Sequence, residues 1–300
     1  MAKSEIDSFI PSSKVLKEVT CGIGFPYKNI ILFFAKYGAG KSSLLLDLAY
    51  DFFKQDKKKV LWIDTEGGMD IYLKLNESML KNKYSMKESP IILKKIVDLK
   101  EIFKFIGMDV DFEVSNSGMV NVKYYGDATV PDEKDRRRRV PYSEFDELIK
   151  KEDIGMVVID SITMPFKSKF AGGREQLPGR SSAYALLLTR IALYTEKHDL
   201  ITFITSHESL SPDASYEKPT AVGASTMKYV SKFWYYLEKP AFSNPKMTGF
   251  RRVYLVRFPN VNDWSKRGVI EFTNKGVVDS DESEIEERRK EIQKERKEGK

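Results

Sequence analysis

The sequence predicts an α/β fold in which helices cover a mostly parallel sheet, and three observations carry that expectation. Short apolar, β-rich runs recur at Ile30 to Phe34, Val60 to Ile63, Ile91 to Val97, Met156 to Ile159 and Ile201 to Ile204. Helical patterns separate them, most clearly at Ser43 to Phe53 and at Ala183 to Glu196, where Ala185, Leu188, Ile191 and Ala192 form an apolar face. The first run passes into the first of these helices through a glycine-bearing loop. Runs that stay apolar without alternating suit strands buried on both faces, as in parallel sheets.

In chain order, Ile30 to Phe34 leads into Ala35-Lys36-Tyr37-Gly38-Ala39-Gly40-Lys41-Ser42-Ser43 and then into Leu44 to Ala49. Strand, loop and helix in this sequence gather backbone N–H groups at a helix N-terminus, where partial positive charge suits a triphosphate. Gly38 and Gly40 let the backbone turn without a Cβ, Lys41 reaches the β- and γ-phosphates, and Ser42 offers its hydroxyl to Mg²⁺. The expected nucleotide-binding set is therefore Lys36, Tyr37, Gly38, Ala39, Gly40, Lys41, Ser42 and Ser43, with Lys41 also catalytic. Ala35 replaces the usual first glycine of GxxxxGK[ST], a position where a methyl group is tolerated at negative φ.

The second run, Lys59-Val60-Leu61-Trp62-Ile63-Asp64-Thr65-Glu66-Gly67-Gly68, puts a carboxylate just past a buried strand, at the edge where open parallel sheets bind ligands. Glu66 is the candidate general base for a water in line with the γ-phosphate, although a structural turn also fits these residues. Val157-Val158-Ile159 closes on Asp160-Ser161, and Asp160 joins Ser42 as a candidate Mg²⁺ group. Loop, Glu and Asp at successive strand ends together point to a nucleotide hydrolase.

Between Asp64 and Asp160 the chain is longer than two strand–helix crossings require. Val110 to Val114, the turn Ser115 to Gly118, and Val120 to Tyr125 alternate as a β-hairpin, followed by Arg136, Arg137, Arg138 and Arg139. Residues 109–140 are read as an insertion with a basic strip suited to phosphates, the alternative being a solvated charge run. After residue 228, Phe233 to Leu237, Val253 to Val256 and Val269 to Phe272 suggest antiparallel strands extending the sheet. From Asp281 the chain mixes Glu with Lys and Arg, including the pairs Glu284–Arg288 and Glu286–Lys290, which predicts an exposed helix or a disordered tail. The expected organisation is an ATPase core over 1–280 and a charged tail over 281–300.

Among 300 residues, 31% are charged and the net charge is +6, so overall composition favours acidic partners only slightly. The single Cys21 excludes an intrachain disulfide. No apolar run reaches bilayer length, and the mixed-charge start Met1 to Asp7 lacks the apolar core of a signal peptide. The expectation is a cytoplasmic protein with no membrane association.

These motifs resemble the RecA/RadA recombinase family, in its archaeal-eukaryotic branch, over roughly residues 9 to 280. Ile10-Pro11-Ser12-Ser13 with Cys21-Gly22-Ile23-Gly24 is similar to the family's lead-in to the phosphate loop, and Trp62 to Gly68 to its IDTEG segment. The resemblance implies a RecA-like P-loop fold with ATP and Mg²⁺ as cofactors, Glu66 as catalytic base, and action on DNA, most simply single-stranded, in recombination or repair. Ala171 to Arg180 resembles the first DNA-binding loop, so Arg174 and Arg180 inherit a backbone-contact role; Ser209 to Gly223 resembles the second. His207 stands where the family has a γ-phosphate-sensing Gln, and Arg257 in the segment that caps a neighbour's ATP; there it is either an arginine finger for a neighbour's phosphates, in an oligomer through the ATP site, or an exposed strand-end residue. The chain begins almost at the ATPase core, without the helical DNA-binding domain and Phe-x-x-Ala linker of full recombinases, which implies a RadA/RadB-like paralogue assisting a recombinase or another repair protein. The other readings are a stand-alone strand-exchange recombinase, a non-hydrolysing ATP switch for a protein partner, and a KaiC-like or ring-helicase-like ATPase.

Overall fold

The computed structural model describes residues 7–209, 218–241, 244–261 and 263–297. Its central sheet contains β1 (Asn29–Ala35), β2 (Lys59–Asp64), β3 (Ile91–Lys95), β4 (Ile154–Asp160), β5 (Ile201–Ser209), β6 (Ser231–Glu238), β7 (Phe250–Arg257), β8 (Arg267–Thr273) and β9 (Gly276–Ser280). The spatial order is β9-β8-β7-β6-β1-β5-β4-β2-β3, with the two-residue strand Thr220–Ala221 paired to the end of β5. From β6 through β3 every pairing is parallel, whereas β7, β8 and β9 join antiparallel.

The expected α/β fold is therefore present, with one correction. β6, read from sequence as antiparallel, runs parallel to β1 and is antiparallel only to β7. The helix Ala224–Val230 carries the chain across before β6, and a crossover returns a strand in the original direction. The unbroken buried run Phe233 to Leu237 is the pattern of a strand covered on both faces.

Alternate residues of each strand feed two cores. Ile31, Phe33, Trp62, Val158, Phe203 and Tyr235 face the helix Lys41–Asp56. Leu32, Phe34, Ile63, Ile159, Ile204 and Trp234 face the helices Leu99–Phe105, Glu144–Lys151 and Leu177–Lys197. Asp160 sits in register with Asp64, and His207 with Ala35, so four strand ends finish along one edge.

The hairpin forms as expected, Met108–Val114 against Val120–Asp127, its turn closed by Gly118 N–H donating to Ser115 O at 2.9 Å. Its inner face, Val110 and Val120, joins the core. A second ribbon, Thr129–Pro131 against Arg139–Pro141, was not foreseen; three-residue strands are too short to display a period of two.

The charged tail forms the helix that was one of its two expected states, and the correction concerns one face only. Glu282–Lys297 is a helix, and it packs: Ile285 and Ile292, seven apart and thus on one face, are buried with Met247, Phe250 and Val269. Arg288 engages Glu271 of β8 and lies 4.6 Å over the Phe250 ring. Among the described residues no helix is long and apolar enough to cross a membrane.

Candidate nucleotide site and nucleic-acid surface

The phosphate loop leaves β1 at the fully buried Ala35 and turns twice through left-handed glycines, Gly38 at φ 69° and Gly40 at φ 99°. Open space surrounds Gly38, so its requirement is conformational. Gly40 is also sterically pinned, since a Cβ there would lie 2.7 Å from the Phe272 ring. Beneath the loop the buried Arg251 donates to Ala39 O at 2.5 Å and to Thr248 O and Phe250 O at 2.6 and 2.7 Å. Sequence reading missed Arg251 and Phe272, because both arrive from more than two hundred residues downstream.

Gly40 caps the helix that Lys41 opens. Burial pushes the Lys41 ammonium below its usual range, while Asp160, Glu66 and Glu208 pull it back up. Lys36 and Tyr37 are exposed; Lys36 Nζ lies 3.8 Å from Glu208, and the Tyr37 ring stacks on His207 with centroids 6.2 Å apart. Ser43 accepts from Tyr72 Oη at 2.5 Å.

Asp64 shapes the segment that carries Glu66. Its carboxylate accepts from Glu66 N at 3.0 Å, Gly67 N at 2.7 Å and Met69 N at 2.9 Å, folding the chain back at the strand end. Glu66 Oε1 then accepts from Ser161 Oγ at 2.7 Å and lies 3.3 Å from His207 Nε2. The His207 contact, then Ser161, His207 charge and Lys41, hold the Glu66 carboxyl below the usual glutamate range against the opposing effect of burial. Asp64 and Ser161 thus position the predicted base; the Asp-x-Glu-Gly turn was the available signal for Asp64.

Asp160 is buried, and burial pushes its carboxyl up while hydrogen bonds from Ser42 and Thr205, the latter at 2.5 Å, favour the ionised form. A cavity of about 440 Å³ gathers Lys41, Ser42, Asp160, Glu66 and His207. Among the described residues no group of three or more His, Cys, Asp or Glu side chains could cage a metal. A hydroxyl and one buried carboxylate, both hard oxygen donors beside a phosphate cradle, fit Mg²⁺, which takes most of its remaining ligands from phosphate and water.

The expected nucleic-acid residues are not gathered in this way. Arg174 is exposed on the 3₁₀ turn Arg174–Gln176, as a loop contact would be. Arg180, read as a loop residue, lies half-buried in the first turn of the helix Leu177–Lys197. Pro178 and Gly179 suggested a loop, but proline is tolerated at a helix start, and Gly179 answers to packing: a Cβ there would stand 1.9 Å from Val120 O.

In the basic strip, Asp132 and Asp135 side chains cap backbone N–H groups of the turn, leaving Arg136, Arg137 and Arg138 exposed. Arg139 is engaged with Thr129 Oγ1 at 2.8 Å and Thr129 O at 2.5 Å. The strip follows the hairpin's base, where Asp127 pairs with Arg190, whereas Arg174 lies beside its tip. Gln176 caps the helix Leu177–Lys197, and Arg190 lies fourteen residues further along it, a rise of roughly 20 Å, so the two basic groups are separate. Of the second loop, residues 210–217, including Pro212 to Ala214, lie outside the described residues; Gly223 closes it at φ 78° against Tyr184. Arg257 donates to Lys228 O at 3.1 Å and lies over Trp234, so it is held within its own chain.

No protein-family model matches the chain. It is 27% identical over 212 residues to the DNA repair and recombination protein RadA of Ignicoccus hospitalis, covering 70% of this chain and 57% of that protein. It is 30% identical over 142 residues to the RadA of Metallosphaera sedula, covering 46% and 41% respectively. The chain thus spans about half the length of the curated relatives it matches. The crystal structure of the RadB recombinase superposes with a TM-score of 0.57 at 20% identity, over 90% of this chain and 98% of that one. With RadA proteins as sequence relatives and RadB as a structural counterpart, the chain has the fold of the RecA/RadA recombinase family.

Proposed function

We propose that the chain is a Mg²⁺-dependent, DNA-associated ATPase of the RecA/RadA type that acts in homologous recombination or repair, as a paralogue or accessory of a recombinase. The observation that carries this is the convergence of Lys41, Ser42, Asp160 and Glu66 on one cavity at the strand ends. The amides at the start of the helix Lys41–Asp56 cradle the phosphates, and Lys41 places its ammonium on the β- and γ-oxygens. Ser42 and Asp160 would hold Mg²⁺, which supplies charge neutralisation on the transferring phosphate. Glu66 orients the attacking water and takes its proton, with Ser161 and His207 fixing the carboxylate. Water, rather than a protein hydroxyl, is the acceptor. Arg174 and Arg180 contact the DNA backbone as charged donors to phosphate, and single-stranded DNA is the partner of first choice.

A second reading has one observation in its favour. Glu66 Oε1 is approached by both Ser161 and His207, and a base so occupied suits an ATP switch that binds without turnover and serves a protein partner. Binding of a labelled single-stranded oligonucleotide, read by anisotropy with ATP and Mg²⁺, separates the two. The DNA reading expects salt-dependent binding that falls about tenfold or more in an Arg174→Ala/Arg180→Ala variant. A wild-type protein that ignores the oligonucleotide would leave the switch.

A further inference from the structure

We propose that the hairpin Met108–Asp127 is a splint that orders the segment Ala171–Arg180 before any ligand arrives, with Gln176 as its positioning residue. One side-chain amide makes the link. Gln176 Oε1 accepts from Gly172 N at 2.9 Å, and Gln176 Nε2 donates to Gly118 O at 3.3 Å, tying the start of the segment to the hairpin tip. Glu175 works alongside it: Oε1 accepts from Gly173 N at 2.7 Å, and its Cγ stands 3.6 Å from the Cβ position of Gly118. Gly179 lets the helix Leu177–Lys197 meet the hairpin backbone with no room for a methyl group.

The splint is itself anchored. Val110 and Val120 belong to the core, Phe112 meets Phe170 edge-on at 5.9 Å, and Lys169 lies 5.0 Å over the Phe112 ring. Arg190 fixes the hairpin's base through Asp127 at 2.5 Å. An exposed stretch holding Gly172 and Gly173 loses more backbone entropy on ordering than most sequences. Contacts to a rigid hairpin meet that cost in the free protein, which is preorganisation. Arg174 sits inside the splinted stretch, so on the nucleic-acid reading, on which the functional meaning rests, it is presented in place without waiting for nucleotide.

The test is site-resolved amide hydrogen exchange on the full chain, without nucleotide or DNA, for wild type, Gln176→Ala, Gln176→Glu and Gly179→Ala. Gln176→Glu keeps the acceptor for Gly172 N and removes the donor to Gly118, isolating the hairpin bridge. Exchange across 172–176 is expected to accelerate about fivefold or more in all three variants, while Gly38 to Ser43 amides, which report the intact fold, are unchanged. Unaltered exchange at 172–176 in both Gln176→Glu and Gly179→Ala would overturn the splint, as would wild-type exchange there at the rate of an unstructured peptide. Oligonucleotide anisotropy on the same proteins should show several-fold weaker binding in the variants. If wild type binds no oligonucleotide, the nucleic-acid reading falls while the exchange data still decide the splint.

Discussion

Replacing Lys83 by Met should destabilise the protein by a magnitude that the structure allows to be worked out. Lys83 Nζ donates to both oxygens of Asp47, at 2.8 and 2.7 Å, and to Val277 O at 2.6 Å, fastening the helices Lys41–Asp56 and Met69–Tyr84 to β9 beside the phosphate loop. Asp47 is 7% exposed. Breaking a fully buried pair by removing one partner costs about 3–5 kcal/mol; this pair is partly buried, the Lys83 side chain being 24% exposed, which lowers the figure. Asp47 keeps the Tyr84 hydroxyl at 2.8 Å and Val277 N at 3.4 Å, so about 2–3 kcal/mol is expected at neutral pH.

The pH dependence has a definite sign. Burial already raises the Asp47 carboxyl above the usual aspartate range, and Lys83 is the largest opposing influence, so its loss raises it further. An acid whose folded pKa exceeds its unfolded value binds more protons when folded, and its penalty fades as pH falls. Urea denaturation should show a deficit near pH 7.5 that shrinks as pH falls toward the ordinary aspartate range, and Asp47→Asn/Lys83→Met should recover part of it. An unchanged urea midpoint, or a deficit independent of pH, would refute the reasoning.

Gly40→Ala places a methyl group against Phe272 and forces alanine to φ 99°, so affinity for a fluorescent ATP analogue should fall about tenfold or more while the circular-dichroism spectrum is retained; undiminished affinity would contradict the geometry. In His207→Gln, the leading influence holding the Glu66 carboxyl down is weakened, so the acid limb of the pH–rate profile should move up toward the ordinary glutamate range; a limb that stays put would remove His207 from the base's environment. Burial pushes the Asp146 carboxyl up, but hydrogen bonds from Lys150, Lys197 and His198 outweigh it and hold the group well below the usual range. Its stabilisation is therefore present above the unfolded aspartate pKa and lost as pH falls through the folded one, and Asp146→Asn should lower Tm by a few degrees near pH 7 with a shrinking difference in strong acid. A constant difference across that window would disprove the linkage.

The site was legible where its chemistry is local. Residues 35–43 announce strand, loop and helix within one continuous stretch, and Glu66 and Asp160 each follow an apolar run that must end at the same sheet edge. Arg251 and Phe272 were invisible because they reach the loop by tertiary packing, with nothing in their own neighbourhoods to mark them. Pro178-Gly179 misled for a related reason: loop composition was serving a helix start and a close approach to Val120. In the tail, the abundance of charge hid Ile285 and Ile292, whose spacing of seven was the signal for a packed face. The direction of β6 depended on a short crossover helix that apolar patterning alone does not orient.

The measurement that bears most directly on the central claim is ATP hydrolysis with Mg²⁺, with and without single-stranded DNA, in wild type and Glu66→Gln. Turnover that DNA stimulates and that Glu66→Gln abolishes while still binding ATP is the predicted result. ATP binding with no turnover under either condition, or turnover indifferent to Glu66, would contradict it.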